Sequence, residues 1–373
     1  MLDDVTAVPV EDASPLDPIG LSGVDALATD GGIVRIRPVT PTDVEALTAM
    51  YERSSPDNLR MRFFAVPSRR VLCNEVARLC RPATPDHGAL LAEQAGVLIG
   101  VASYERSPDN DRRAEFAVFV DEAHHGRGIG TLLLEHLFPL ARLRGLTEMV
   151  GEVMPSNAAM LRVAADLSSR VWSRFDDGVV DVGLVAHDPD DVQAAVDARE
   201  RVAERASLRP LFAPRVVAVV GAGSASGGRG HETLRSMIEF GFTGVVYAVN
   251  PNARFVAGVA SYPRLRDVPG PVDLAVIAVP AKEVPDVLAD AGEAGVRAAV
   301  VLSAGFSGTD ADSRAARAEL VTLARAHGIR LVGPNCLGVL NTDPKVRFAA
   351  TFAPPLPATV LPAAGRLAVA SQS

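Results

Sequence analysis

The stretch FAVFVDEAHHGRGIGTLLLEHL, residues 116–137, decides the fold of the first half of the chain. It begins as an apolar strand, turns at residues 121–123 and acquires helical character from Thr131 onward. Between strand and helix lie Gly126, Gly128 and Gly130, which let backbone N–H groups converge without obstruction by a Cβ atom. A helix N-terminus adds partial positive charge at the same place. The stretch therefore predicts a pyrophosphate-binding loop, although a plain strand-to-helix turn is a fair alternative.

The glycine spacing also resembles the acyl-CoA pyrophosphate loop of GNAT acetyltransferases, usually Gln/Arg-x-x-Gly-x-Gly/Ala. Gly128 and Gly130 match that pattern, and His125 stands where Gln or Arg is usual. The resemblance implies acetyl-CoA (CoA) as cofactor, bound by the loop and the preceding strand at Val118, Phe119, Val120, His125, Gly126, Arg127, Gly128, Gly130 and Thr131. Asn157 is a further candidate CoA contact, but capping of the helix that it begins explains it equally well.

The order of the other elements extends this resemblance over residues 31–186. Alternating apolar positions predict strands at 33–37, 115–120, 148–153 and 179–185, and a hairpin at 90–104 that turns at 93–96. Helical spacing of apolar residues follows Thr40-Pro41 and Asn157. We expect an α/β domain with the mixed sheet of the GNAT fold.

Glu115 begins the strand before the glycine loop and is the candidate catalytic residue. A lysine ammonium, with a pKa of about 10.4, must lose a proton before it attacks a thioester, and a carboxylate there could accept it. GNAT enzymes that acetylate lysine commonly place a glutamate at this strand position. The alternative is a solvated acid paired with Arg112 or Arg113. A tyrosine that many members use to protonate the thiolate is absent, because counting seven residues from Asn157 gives Ala164.

The second half of the chain alternates apolar strands and helices over residues 211–343, which predicts a Rossmann-like, doubly wound parallel sheet. Its first turn, residues 221–230, is a second candidate phosphate loop. NAD fits it poorly, since Ser226 occupies the third glycine position and Asn250 replaces the carboxylate that binds ribose.

The same half resembles the CoA-binding domain of NDP-forming acyl-CoA synthetases, kin to the succinyl-CoA synthetase alpha subunit. Four stretches carry the resemblance: 220–230, 249–251, 303–306 and 333–338. It implies a CoA site at Gly221, Gly223, Ser224, Ala225, Ser226, Gly227, Asn250, Arg254, Ser303 and Ala304. Arg254 suits the 3′-phosphate of CoA better than an acid would.

Flanking segments complete the predicted organisation. Residues 1–30 read as a disordered acidic tail, 187–210 as a helical linker and 344–373 as the start of a truncated ligase domain ending in Ser371-Gln372-Ser373. The phosphohistidine segment and the ATP-grasp domain of that family would lie beyond this point, so acyl-CoA ligase activity is not expected from the chain alone.

Composition limits the partners. A net charge of −8 does not favour nucleic acid, no apolar run approaches a membrane span, and three cysteines form no metal-ligand cluster and suit the cytoplasm. The resemblances predict an acetyl-CoA-dependent N-acetyltransferase acting on an amine acceptor, a protein lysine or a small molecule, with an appended CoA- or acyl-CoA-binding domain. A non-catalytic CoA sensor, or a subunit of a synthetase completed by another polypeptide, are the alternatives. The oligomeric state stays open.

Overall fold

A computed structural model of the chain describes residues 23–167, 171–185, 189–353, 364–365 and 368–370. Internal contacts divide the chain into two units, Met1–Ala203 and Glu204–Ser373. The predicted tail up to residue 22 and the terminal Ser371-Gln372-Ser373 lie outside the described residues.

The first unit is built on a mixed sheet of eight strands in the order β1-β2-β3-β4-β5-β6-β8-β7. The strands are β1 (Val24–Leu27), β2 (Ile33–Pro38), β3 (His87–Gln94), β4 (Val97–Ser107), β5 (Asn110–Val120), β6 (Glu148–Val153), β7 (Val171–Asp176) and β8 (Val179–Val185). The helices are α1 (Val44–Arg53), α2 (Pro56–Phe63), α3 (Arg69–Leu79), α4 (Ile129–Leu143) and α5 (Ala158–Leu167). This arrangement confirms the predicted mixed sheet of a GNAT fold.

Side chains alternate between the two faces of this sheet, and each face has its own core. On one face, Ala114 and Phe116 of β5 pack with Leu133 and Leu137 of α4. On the other, Phe119 packs with Leu47 and Met50 of α1 and with Leu79 of α3. Strand β5 therefore runs between two apolar layers, and its C-terminal end feeds directly into the loop before α4.

The N-terminal boundary differs from the sequence prediction. Strand β1 pairs antiparallel with β2, with Val24 opposite Ile36 and Leu27 opposite Ile33, so residues 23–30 are not a disordered tail. The acidic composition misled the prediction because it averages over 30 residues and hides the short apolar segment beside Gly23. Ala28, just after β1, is fully buried in the core.

The predicted linker is one helix, α6 (Pro189–Phe212), which is longer than expected at its C-terminal end. Within the first unit, Arg199 of α6 pairs with Glu135 of α4 through Nε and Oε1 at 2.7 Å. Within the second unit, Leu211 of α6 is buried against the sheet core. Each half of the helix is therefore packed by its own unit.

The second unit contains a sheet of seven strands in the order β11-β12-β10-β9-β13-β14-β15. Its elements are β9 (Val216–Val220), α7 (Arg229–Phe240), β10 (Val245–Val249), β11 (Phe255–Val256), β12 (Val259–Tyr262), β13 (Leu274–Ile277), α8 (Val284–Glu293), β14 (Ala298–Val301), α9 (Ala311–Ala326) and β15 (Arg330–Val332). Strands β12, β10, β9, β13, β14 and β15 run parallel. The predicted doubly wound parallel sheet is confirmed.

The chain reverses its direction across this sheet between β9 and β13, which are parallel neighbours. From β9 it proceeds outward to β10, and it later returns to β13 on the other side of β9. Ligands of open α/β sheets bind beyond the carboxyl ends of the strands at such a reversal. The loop after β9, residues 221–228, lies at this point.

The C-terminal boundary of the second unit also differs from the sequence prediction. Strands β16 (Gly338–Asn341) and β17 (Phe348–Thr351) form an antiparallel pair, which crosses the predicted boundary after residue 343. Phe348 and Ala350 are fully buried with Val217 and Leu234 in the core of the second unit. Residues up to about 352 therefore belong structurally to this unit rather than to a following domain.

Within the described part of the chain, no helix combines the length and the apolar character needed to cross a membrane.

Candidate functional site

Strands β5 and β6 separate at the centre of the first sheet. Their parallel pairing covers only three residue pairs, Arg113 with Glu148, Ala114 with Met149, and Glu115 with Val150. Strand β5 continues to Val120 and β6 to Val153 without further pairing to each other. The sheet therefore opens beyond Glu115 and leaves a gap between the two strand ends.

Backbone groups of β5 face this gap. The N–H of Asp121 donates to Ile99 O on β4 (2.9 Å), and Asp121 and Ile99 continue the β4–β5 register as an opposed pair. Because N–H groups alternate sides along a strand, the amides of Val118 and Val120 point away from β4 and toward the gap. The amide of Phe119 points to β4 instead. Of the three candidate strand residues, Val118 and Val120 thus offer backbone donors to a ligand.

The glycine loop follows immediately and is bent by left-handed residues. Gly126 has φ of 72° and Gly128 has φ of 75°, a region that favours glycine. A Cβ on Gly128 would also lie 2.9 Å from Thr29 Cγ2, so the position excludes a side chain on two grounds. Helix α4 starts at Ile129, which places Gly130 and Thr131 in its first turn. Their amides belong to the helix N-terminus, where backbone N–H groups are available to a phosphate.

The side chains of His125 and Asn157 have partners within the protein. His125 Nε2 lies 3.0 Å from Val120 O, which also accepts from Asn58 Nδ2 at 3.0 Å. Asn157 Oδ1 accepts from the N–H of Met160 at 3.1 Å and so caps α5. The capping interpretation of Asn157 is thus confirmed. CoA contacts of both residues stay predictions.

Glu115 lies at the vertex of the gap with an exposed side chain. The alternative pairing with Arg112 or Arg113 is not seen among the described residues, and Arg113 Nε instead donates to Glu148 Oε2 at 2.7 Å. Across β4–β5, Glu115 is opposite Glu105. Since opposed residues project from the same face, the two glutamates share the face covered by α1 and α3.

A network of charged side chains on that face was missed by the sequence analysis. Glu75 of α3 accepts from Arg78 (2.8 Å) and Arg62 (3.0 Å), and Arg78 also binds Glu105 at 2.6 Å. Burial raises the pKa of Glu75, but the Arg78 and Arg62 guanidiniums outweigh it and hold that pKa below its usual value. Burial opposed by Arg78 has the same net effect on the pKa of Glu105. Sequence spacing shows Glu75 and Arg78 as helix neighbours, but no local pattern links them to β4.

The structure explains why residue 164 is small. Ala164 is buried in the core beneath α5, so a longer side chain there would need room that the packing does not provide. Tyr51 of α1 packs on Phe119 with ring centroids 4.9 Å apart. Burial and the charge of Glu75 raise the pKa of Tyr51, so its phenol keeps its proton at neutral pH.

The loop after β9 in the second unit is held by close backbone contacts. A Cβ on Gly221 would lie 2.8 Å from Ala278 O at the end of β13, and one on Gly230 would lie 2.7 Å from Gly221 O. In a dinucleotide fingerprint the third glycine lets the helix approach the strand closely. Here Gly230, and not residue 226, makes that close approach. Gly223 has open space, and Ser224, Ala225, Ser226 and Gly227 are exposed.

The other candidate residues of this unit surround that loop. Asn250 Nδ2 donates to Ala222 O at 2.9 Å, so its amide fixes the loop from the end of β10. Ser303 is buried and donates from Oγ to Val279 O at 2.5 Å, while the neighbouring Ala304 is exposed. The N–H of Gly227 donates to Glu232 Oε1 at 3.0 Å. Arg254 is exposed, with no hydrogen bond or ion pair of its side chain to other described residues.

Two families match the two halves. Residues 48–167 match the acetyltransferase (GNAT) family, and residues 215–342 match the CoA binding domain. The first match contains the gap and the loop after β5, and the second contains the loop after β9. The chain thus joins a GNAT domain to a CoA-binding domain, and acetyl-CoA or CoA is the ligand that such domains bind.

Relatives include two ADP-forming ligases that match part of the chain. The acetate–CoA ligase (ADP-forming) I of Archaeoglobus fulgidus is 43% identical over 166 residues, which is 44% of this chain and 23% of the relative. The acetate–CoA ligase (ADP-forming) II of the same organism is 34% identical over 271 residues, covering 66% of this chain and 38% of the relative. The chain therefore corresponds to well under half the length of either ligase.

Among solved structures, the GNAT domain of S. lividans PAT is 33% identical, with a TM-score of 0.39; the match covers 43% of this chain and 96% of that one.

Proposed function

We propose that the chain is an acetyl-CoA-dependent N-acetyltransferase that acetylates protein lysine. One observation carries the proposal: the β5–β6 pairing stops at Glu115 and Val150, and the opened strand leads straight into the glycine loop before α4. An extended thioester ligand needs a slot with backbone donors, a phosphate cradle at one end and a proton acceptor near the reacting carbon. The GNAT match covers all three.

In this proposal the loop residues 126–131 bind the pyrophosphate, and the amides of Val118 and Val120 bind the pantetheine and the thioester oxygen. Attack of the lysine nitrogen on the thioester carbon forms a tetrahedral intermediate whose oxygen carries negative charge, which a backbone N–H stabilises. Glu115 accepts the ammonium proton, directly or through water, before the C–N bond forms. The C–S bond then breaks, CoA leaves as the thiolate, and the second proton of the attacking nitrogen passes to that thiolate or to water.

The exposure of Glu115 supports this role, since a base for a protein side chain must be reached from solvent. The neighbouring Glu105 is ion-paired with Arg78 and Arg81 and hydrogen-bonded to His87, all within 2.8 Å of Glu105 Oε1. Glu115 has no such ion pair among the described residues. An arriving lysine ammonium therefore meets one carboxylate that is free to take its proton and one that is already paired.

The second unit is proposed to bind CoA or acyl-CoA as a regulatory or vestigial module, at the loop 221–227. A second candidate function is a part of an ADP-forming acyl-CoA ligase, which the two Archaeoglobus relatives favour. A third is a sensor in which both domains bind CoA and neither reacts.

Labelled acetyl-CoA added to a proteome extract with the full chain tests the three. Labelled lysines in proteins that stay unlabelled without the chain support acetyltransfer. Formation of acetyl-CoA from acetate, CoA and ATP by the chain alone would favour the ligase. Saturable acetyl-CoA binding without either product would favour the sensor.

A further inference from the structure

A tight turn, residues 28–32, joins β1 to β2 beside the glycine loop. The N–H of Ala28 donates to Gly32 O at 2.9 Å, and that of Gly31 donates to Ala28 O at 2.8 Å. The N–H of Gly32 donates to Asp30 Oδ1 at 3.0 Å. These bonds within the turn fix the position of the Asp30 carboxylate.

That carboxylate binds Arg127, the residue between the two left-handed glycines of the loop. Arg127 Nε donates to Asp30 Oδ2 at 2.8 Å, and Nη2 to Oδ1 at 3.3 Å. The backbone of Arg127 is held as well, since its carbonyl accepts from the N–H of Thr29 at 3.0 Å. The turn thus binds the loop twice, through the side chain of Arg127 and through its carbonyl group.

Two further groups complete the surroundings of the guanidinium. Arg127 Nη1 lies 2.7 Å from Gln94 Oε1 and 2.7 Å from His124 Nδ1. Burial and the charge of Arg127 lower the pKa of His124, which favours the neutral ring that can accept this bond. A Cβ on Gly32 would lie 2.7 Å from Arg127 Nη2, so the turn leaves room for the guanidinium. Most donors of Arg127 are therefore used inside the protein.

Gly126 and Gly128 lack side chains that could restrain the loop, and glycine has more backbone freedom than any other residue. A loop that presents its amides to a phosphate binds better when it is already ordered, because binding then costs less conformational entropy. Arg127 lies between these two glycines, so a contact from the turn 28–32 to Arg127 restrains the loop at its centre.

We propose that Asp30 is a positioning residue for acetyl-CoA: it holds Arg127 and so orders the pyrophosphate loop before the cofactor arrives. Asp30 lies outside the segment 48–167 that matches the GNAT family. The inference rests on the proposed function in one respect, that acetyl-CoA binds at residues 126–131. In this arrangement Arg127 acts as an internal anchor rather than as a ligand of the phosphate.

Hydrogen exchange of the full chain during an acetyl-CoA titration tests the proposal, because peptides report each CoA site separately. In the Asp30→Asn variant we expect the half-saturation concentration for protection of residues 126–132 to rise about tenfold, or ~1.4 kcal/mol. Protection of residues 221–230 keeps its wild-type midpoint. Asp25→Asn is the matched control, since Asp25 pairs with Arg35 on the same hairpin at 3.4 Å. It should leave both midpoints unchanged.

The route through Arg127 is tested by a double variant. Arg127→Met should raise the midpoint like Asp30→Asn, and the combined variant should raise it no further than Arg127→Met alone. Tighter binding in Asp30→Asn with weaker binding in Arg127→Met would overturn the proposal, since it would mean that Arg127 is a phosphate ligand which Asp30 withholds. Additive losses would also overturn it.

Gln94→Leu removes a different anchor of Arg127, together with the bond from Gln94 Nε2 to Ile33 O (3.2 Å) beside the turn, and it should raise the same midpoint by a smaller factor. Wild-type midpoints in both Asp30→Asn and Gln94→Leu would refute the positioning role while the loop remains the acetyl-CoA site. Absence of acetyl-CoA protection at residues 126–132 in the wild-type chain would instead reject the proposed cofactor site itself.

Discussion

Glu115 and Val150 are the last residues that strands β5 and β6 pair with each other. Beyond them Gly151 follows on β6, where a Cβ would lie only 3.0 Å from the ring of Phe116. The aromatic ring thus lies against the bare backbone of β6 at the point where the strands part. The carboxylate of Glu115 stands at that point, on the face opposite to the core that Phe116 joins.

Replacing Glu115 by Gln should lower turnover of a lysine acceptor and leave acetyl-CoA affinity intact. A general base contributes about 10²- to 10⁴-fold to the chemical step and does not touch the nucleotide. The deficit should shrink toward high pH, where more of the acceptor amine is already neutral. Steady-state kinetics between pH 7 and 10 on a mapped acceptor peptide measures both effects.

Asp111→Asn is the control for that measurement, because Asp111 is an exposed acid of the same strand, four residues earlier. It should keep wild-type turnover. Full activity of Glu115→Gln near neutral pH would show that another group accepts the proton.

Substituting Gly128 by Ala should weaken acetyl-CoA binding at residues 126–132 at least tenfold. The substitution forces a side chain into a left-handed backbone and against Thr29, 2.9 Å away. Gly145→Ala imposes comparable backbone strain in open space after α4, where φ is 85°. If both variants bind acetyl-CoA equally well, the loop geometry at residue 128 is not what the cofactor requires.

Arg254→Gln should reduce the preference of the second unit for CoA over dephospho-CoA. Arg254 is exposed beyond the end of β10 and has no ion pair with other described residues, so a 3′-phosphate can reach it. Exchange protection of residues 221–230 by the two ligands gives the ratio, with the exposed Arg264→Gln as control.

NAD should give no exchange protection of residues 221–230, because Asn250 is bound to Ala222 O and offers no carboxylate to a ribose. Protection by NAD but not by CoA would reverse the assignment.

Arg199→Met should destabilise the first unit by about 3 kcal/mol near pH 7.5, because it leaves the buried Glu135 carboxylate without its partner. Burial raises the pKa of Glu135 even in the wild type, so the folded state binds the proton more tightly than the unfolded state does. Stability gained from that proton is complete below the unfolded pKa and is lost as pH rises through the folded pKa. The destabilisation should therefore be smaller at pH 5 than at pH 7.5 in urea unfolding. A pH-independent loss would argue against a buried ionised Glu135.

Much of the architecture could be predicted from local patterns. Alternation along β3, β4 and β5 and the Ala95-Gly96 turn between the first two are signals contained within a few residues, as is the glycine spacing before α4. Those signals were sufficient to place the glycine loop between β5 and α4. They were also sufficient to identify the parallel sheet of the second half.

Relationships between distant segments could not be predicted in this way. Asp30 and Arg127 lie 97 positions apart and no local pattern joins them, and the bond between Glu75 and Arg62 depends on how α2 and α3 pack. Strand β1 was not predicted because it lies in an acidic segment, and β17 was not predicted because its residues were assigned to another domain. For both strands the missing information is the sheet partner, which only the folded chain supplies.

The burial of Phe348 has a practical consequence for dividing the gene. A fragment that stops at residue 343, the predicted boundary of the CoA-binding domain, would lack β17 and remove a fully buried ring from beneath α7. Loss of a core phenylalanine costs about 3–5 kcal/mol, a large share of the stability of a small domain. Failure of such a fragment to bind CoA would then report unfolding rather than the chemistry of the loop. Fragments meant to isolate the second unit should extend at least to residue 353.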